Sequence, residues 1–201
     1  MELIGMLDSP YVRRVAVSLN LLGQPFVHRP VSVFGAYAEF ERINPVVKAP
    51  TLVCDDGGIL MDSNLILQFI EARAGRSLVP AGSAAMQRTL YLTGLAMAAC
   101  EKTVQIVYER RLRPAEKQHE PWVERVSAQL QQAYAALERE LAAAPLESDA
   151  ARITQAGVSS AVAWSFTQAI LPDAVSAAAH PTLAAFTAQA EELPAFRQSP
   201  Q

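Results

Sequence analysis

Three short stretches carry the residue types and spacings that could do chemistry. Asp8-Ser9-Pro10 sets a hydroxyl immediately before a proline, the arrangement of an N-cap followed by a first helical residue. Ala49-Pro50 precedes the β-prone run Thr51-Leu52-Val53. A proline cannot donate to a sheet ladder, so it either opens the strand or turns the backbone at Ala49 toward something that is not protein. Asp62-Ser63 opens a further apolar helix and offers a carboxylate and a second cap candidate. The three histidines, His28, His119 and His180, lack the spacing of metal ligands, and no metal is assigned.

The elements that must position these residues read clearly in the first 78 positions. Glu2–Leu7 has strand length. A helix from Pro10 runs through Val12, Val15, Ala16 and Leu19 and stops at Gly23. Phe26–Val33 reads as a strand, and Pro30 inside it predicts a sheet edge. A short helix over Ala36–Ile43 precedes the strand after Pro50. Asp55-Asp56-Gly57-Gly58 is a hairpin turn leading into Ile59–Met61. Ser63 is then the predicted cap of a helix with Leu65, Ile66, Phe69 and Ile70 on one face. The order β-α-β-α-β-β-α describes a small α/β sheet with helices against it.

Gly75–Ser83 has linker composition, and after Ala84 the strand signal vanishes. Met86–Arg111 is a long helical stretch with Leu90, Thr93, Leu95, Met97, Cys100, Val104 and Tyr108 near helical spacing. Pro121 opens a helix containing Trp122, Val126, Leu130, Tyr134, Leu137 and Leu141. Thr154 starts a third helix and His180-Pro181 a fourth. The chain thus divides into an α/β domain over 1–78, a linker over 75–83 and an all-α bundle over 84–201.

Composition narrows the function. Of 201 residues, 51% are hydrophobic and 18% charged, with a net charge of −3, a globular balance. Met1–Leu78 holds 7 basic and 8 acidic residues and the remainder 10 and 12, so neither half has the basic surplus of nucleic-acid binding. The N-terminus lacks the basic start of a signal peptide, and no uncharged apolar run reaches the roughly 18 residues of a membrane span. Two cysteines, Cys54 and Cys100, are too few for a disulfide framework. A reduced, cytoplasmic protein is the expectation.

SPYVRRV after the first strand, NPVVKAP before the third and MDS before the third helix together resemble the cytosolic glutathione transferases, over nearly the whole chain. More narrowly, Ser-Pro followed by an aromatic, an apolar and basic residues is similar to bacterial members of uncertain substrate. The resemblance implies a thioredoxin-like N-terminal domain, a helical C-terminal domain and a homodimer. Glutathione is implied as co-substrate, with no further cofactor, and a small apolar electrophile as the second substrate. It implies that Pro50 is a cis-proline presenting the Ala49 N–H and C=O to glutathione as one more strand would. Asp62 would face the γ-glutamyl ammonium, the Ser63 hydroxyl and the helix N-terminus would receive its carboxylate, and Lys48 would neutralise the glycyl carboxylate.

Ser9 is the implied catalytic residue. A hydroxyl donating to sulfur and the helix N-terminus beyond it both stabilise a thiolate. Depressing a thiol pKa by about two units requires about 2.7 kcal/mol. Serine in place of a Cys-Pro cysteine argues against mixed-disulfide chemistry, while the charge of Asp8 opposes a thiolate unless it points away. Tyr11, Phe34, Cys100, Tyr108 and Arg111 are the candidates to line the electrophile pocket. Two alternatives stand beside the transferase reading: a non-catalytic regulatory or protein-binding module, and a glutathione-dependent isomerase or dehalogenase.

Two positions depart from the family pattern. Val47 stands where glycine is usual, so a positive φ there would strain a β-branched residue. Gly157 stands where an acidic residue usually closes a capping motif begun by Thr154. On that reading Gly157→Asp would stabilise the chain.

Overall fold

The computed structural model describes residues 1–201 in two compact units, Met1–Leu78 with Glu192–Gln201, and Val79–Glu191. The first unit is a four-stranded sheet with helices against it. Strands β1 (Glu2–Ile4), β2 (Val27–Arg29), β3 (Thr51–Val53) and β4 (Ile59–Met61) lie in the order β2-β1-β3-β4. β1 runs parallel to β2 and antiparallel to β3, and β3 and β4 form the hairpin closed at Asp55–Gly58. β2 is an edge strand, where Pro30 costs no ladder bond.

The first two strands are shorter than predicted, while β4 spans Ile59–Met61 as expected. β1 ends at Ile4 because Gly5 takes φ 136°, a conformation that leaves the strand region. Helix α1 (Pro10–Leu21) is buried continuously from Val12 to Leu19, Arg13 and Arg14 included. α2 (Tyr37–Ile43) docks through Phe40 onto Ile4 and Val31, and Val33, Ala36, Ile43, Val47, Ala49 and Val53 pack around that cluster. α3 (Ser63–Ala74) buries Ile66, Leu67 and Ile70, whereas Leu65, expected on that face, is exposed.

The second unit is helical throughout: α4 (Ser83–Val107), α5 (Glu120–Ala143), α6 (Gln155–Ile170) and α7 (Pro181–Glu191). A π-helical turn over Tyr108–Leu112 extends α4. α4 packs against α5 and α6, and α6 also against α7. α6 is buried from Gln155 to Trp164 without a polar face, as befits the central helix of a bundle. The inward face of α4 is not the one its large apolar residues suggest. Leu90 and Tyr108 are exposed, and Leu92, Ala96, Ala99, Cys100, Thr103 and Ile106 face in, because small residues let helices approach closely. No helix is long and apolar enough to cross a membrane.

Three local expectations are corrected. The last helix, α8 (Pro194–Arg197), and its flanks group with the first unit and not with the bundle. Arg13 Nε donates to the Ser199 carbonyl (2.8 Å), and its guanidinium lies 5.7 Å from the centre of the Phe196 ring. Asn20 Nδ2 donates to the Ala195 carbonyl and to Ser199 Oγ. Second, Asp62, not Ser63, is the N-cap of α3, since its own φ of 69° carries its carboxylate over the helix start to accept the Asn64 N–H (2.9 Å).

Third, Gly157 is not a defective cap. A Cβ at that position would lie 2.8 Å from Ile153 Cγ1 and 3.2 Å from Phe186 Cζ. Glycine is there because Ile153 and Phe186, both buried, close over the first turn of α6. Thr154 is the N-cap but makes no capping bond, and its hydroxyl is buried without a partner. An aspartate at 157 would therefore collide before it could close the motif.

Candidate functional site

The sheet register gathers the predicted residues at one end of the first unit. Ile4 is paired with Thr51 and Thr51 with Met61. The chain leaving β1 toward Ser9, the chain entering β3 from Lys48-Ala49-Pro50 and the chain leaving β4 into Asp62-Ser63 consequently emerge side by side. The Ala49–Pro50 peptide bond is cis. Gly5 makes the close approach possible: a Cβ there would stand 2.7 Å from Val12 Cγ2 and 3.2 Å from Ala49 Cβ. His28 braces the same turn from β2, its Nε2 donating to the Gly5 carbonyl at 2.8 Å.

Ser9 occupies the N-cap position of α1, with φ −77° and ψ 122°, and its carbonyl accepts the Arg13 N–H at 2.9 Å. Its hydroxyl makes no capping bond to the helix. Proline at the first helical position lacks an N–H that the helix start would otherwise leave without an intrahelical partner. Ser9 is half-buried and Asp8 beside it is exposed.

The segment Asn44–Thr51 is stitched from inside. Buried Asn44 accepts the Val46 N–H through Oδ1 (3.0 Å) and donates through Nδ2 to Thr51 Oγ1 (2.9 Å); Thr51 in turn donates to the Lys48 carbonyl (2.7 Å). Val47 takes φ 52°, so the strain that its β-branched side chain implies is present. The Ile4–Val31–Phe40 cluster, against which Val47 packs, holds it there. The Lys48 side chain is exposed at the rim.

At the start of α3, Asp62 has φ 69° and ψ 122°, outside the regions that non-glycine residues ordinarily occupy. Residues held in such conformations concentrate at ligand-binding positions. Ser63 is buried, and its Oγ accepts a hydrogen bond from Arg14 Nη1 (3.1 Å), which also donates to Asn64 Oδ1 (2.7 Å).

Arg14, His28 and Asn44 were not singled out by their sequence context. The one available signal was Arg14 itself, a charge within the continuous apolar stretch of α1.

Of the electrophile candidates, Tyr11 and Phe34 belong to the first unit and Cys100, Tyr108 and Arg111 to the second. Tyr11 is half-buried on α1, and Phe34 is exposed in the turn where Ser32 Oγ accepts the Phe34 and Gly35 N–H groups. Cys100 is fully enclosed in the helical unit beside Tyr134, whose hydroxyl donates to the Ala163 carbonyl (2.8 Å). Burial raises the Tyr134 phenol well above its ordinary range. Tyr108 and Arg111 are exposed on the π-helical turn, with Arg111 Nη2 3.4 Å from the Ile170 carbonyl. Buried Glu109 anchors that turn, accepting the His119 N–H and pairing with Arg113 (both 2.8 Å), which holds its carboxyl below the usual range. The structure brings no group of three or more His, Cys, Asp or Glu together as a metal site, and neither cysteine is in a disulfide.

Residues 3–78 match the family described as "Glutathione S-transferase, N-terminal domain". Over 165 residues the chain is 26% identical to the uncharacterized GST-like protein YibF of Escherichia coli K12, covering 82% of this chain and 81% of that one. A glutathione transferase family member from Pseudomonas fluorescens Pf-5, solved with bound S-(propanoic acid)-glutathione, is 30% identical with a TM-score of 0.84, over 99% of this chain and 98% of its own. A glutathione S-transferase from Methylobacterium radiotolerans, in complex with glutathione sulfonate, is 25% identical with a TM-score of 0.88, over 98% and 93%. Sheet topology, the loop before β3 and these likenesses over nearly the full length agree: the chain belongs to the glutathione transferase family.

Proposed function

We propose that the protein is a glutathione transferase that binds glutathione at this end of the sheet and activates its thiol for attack on a small apolar electrophile. In this reading the Ala49 backbone pairs with the cysteinyl segment. Asp62 faces the γ-glutamyl ammonium, Ser63 and the α3 N-terminus take its carboxylate, and Lys48 faces the glycyl end. Ser9 donates to the sulfur. The observation that carries the reading is the convergence of Ser9, Ala49 and Asp62-Ser63 at one end of the sheet, with the Ser9 hydroxyl uncommitted to its own helix. The glutathione derivatives held by the Pseudomonas and Methylobacterium relatives support the ligand. Tyr11, Phe34, Tyr108 and Arg111 remain the candidates for electrophile contact, in a cytoplasmic homodimer without a further cofactor.

The test is calorimetric titration of glutathione, followed by ultraviolet detection of bound thiolate across pH in the wild type and in Ser9→Ala. Binding with a depressed thiol pKa that rises in the variant supports transferase chemistry. Binding without thiolate formation would favour a glutathione-binding module, and no binding would overturn the reading.

A further inference from the structure

The fully buried Arg14 guanidinium sits in an unusual place for a charge. It reaches from the second turn of α1, the helix whose start carries Ser9, to the first two residues of α3. One nitrogen, Nη1, is shared between Asn64 Oδ1 at 2.7 Å and Ser63 Oγ at 3.1 Å. A serine hydroxyl has one proton and two lone pairs. Because Ser63 accepts from Arg14, which has only donors, the Ser63 proton must point elsewhere. The Asn64 N–H is already held by Asp62 Oδ1. A cation behind the hydroxyl oxygen strengthens that hydroxyl as a donor, and strengthens it most where water is excluded.

We propose that Arg14 is a positioning residue for the γ-glutamyl end of glutathione, setting the Ser63 hydroxyl as an outward donor to the α-carboxylate and placing a buried positive charge behind it. The inference rests on the glutathione reading and deepens it. Arg14 thereby links the two ends of the site. Lysine would not replace it fully, since its flexible stem does not fix the donor nitrogen in place as the planar guanidinium does.

The experiment compares two ligands by calorimetry. One is glutathione; the other is γ-aminobutyryl-cysteinylglycine, which lacks only the α-carboxylate. Both are titrated into wild type, Arg14→Met, Arg14→Lys, Ser63→Ala and the double variant Arg14→Met/Ser63→Ala. Arg14→Met is expected to weaken glutathione by about tenfold to a hundredfold, the worth of a hydrogen bond to a charged group. The decarboxylated ligand should move by less than about twofold. Arg14→Lys should fall between wild type and Arg14→Met for glutathione only, and it carries the comparison if Arg14→Met does not fold. The loss should shrink in the Ser63→Ala background.

Equal weakening of both ligands, or losses that simply add with Ser63→Ala, would make Arg14 a structural residue and overturn the inference. Wild type that binds neither ligand would overturn the glutathione reading and this inference with it. Wild type that binds glutathione while the variants fail to discriminate overturns the inference alone.

Discussion

Replacing Gly157 with aspartate sets two physical effects against each other at one atom. In favour, a carboxylate at the third position of α6 can return a hydrogen bond to the Thr154 N–H and meet the positive helix end, together worth about 1–2 kcal/mol. Against it, the new Cβ would lie 2.8 Å from Ile153 Cγ1 and 3.2 Å from Phe186 Cζ. Ile153 is 3% and Phe186 6% exposed, so neither has room to yield. Overpacking of this kind costs about 1–3 kcal/mol, and enclosing part of a carboxyl adds roughly 1–3 kcal/mol. The balance is a loss of about 2 kcal/mol, which for a chain of this length lowers Tm by roughly 4–8 °C. Differential scanning calorimetry of wild type, Gly157→Asp and Gly157→Ala measures it. Gly157→Ala isolates the Cβ and should also lower Tm, by less, and in an Ile153→Ala background its penalty should shrink to that of the Phe186 contact. A Gly157→Asp protein melting at or above the wild type would refute the packing argument and restore the view of Gly157 as a missing cap.

Other perturbations follow from the same geometry. Gly5→Ala, with φ 136° and a Cβ 2.7 Å from Val12 Cγ2, should cost about 2–4 kcal/mol in urea denaturation, and an unmoved midpoint would contradict it. Glu138 accepts the Thr182 and Leu183 N–H groups at the start of α7 (both 2.9 Å), so Glu138→Ala should lose about 1–2 kcal/mol, as for a strong N-cap; a change within error would show the cap is redundant. The Glu109 carboxyl is lowered by the His119 N–H and by Arg113, so its stabilisation is fully present above the ordinary carboxyl pKa of about 4.3. It is lost as pH falls through the depressed folded value. The stability gap between wild type and Glu109→Gln should therefore narrow from pH 7 toward acid, and a constant gap would refute the assignment.

The sheet and its order were legible because turn chemistry punctuates them: Asp8-Ser9-Pro10, Asn44-Pro45 and Asp55–Gly58 each mark a chain reversal or a helix start. The inward face of α4 was not, because Ala96, Ala99 and Thr103 build it with little hydrophobic signal, while the conspicuous Leu90 and Tyr108 lie outside. The anchors Ser9, Ala49 and Asp62-Ser63 could be named from local motif. Their supports could not. Arg14 meets Ser63 across 49 positions and His28 meets Gly5 across 23, and nothing local to either residue announces its partner. At Gly157 one of the two neighbours, Phe186, lies far along the chain, and the other, Ile153, is local but its inward orientation follows from the packing of the bundle.

The return of the last residues to the first unit has a consequence for how the chain is made. Arg13 and Ser199, whose hydrogen bond helps to hold α1, stand 186 positions apart. At about 5–20 residues per second, the ribosome needs roughly 10–40 s to synthesise the chain between them. Once Met61 is made the sheet sequence is complete, yet Arg13 and Asn20 still lack the acceptors at Ala195 and Ser199. The helical unit is made and can fold within this wait. The nascent first unit therefore stays short of these hydrogen bonds until the segment around Ala195–Ser199 has been made.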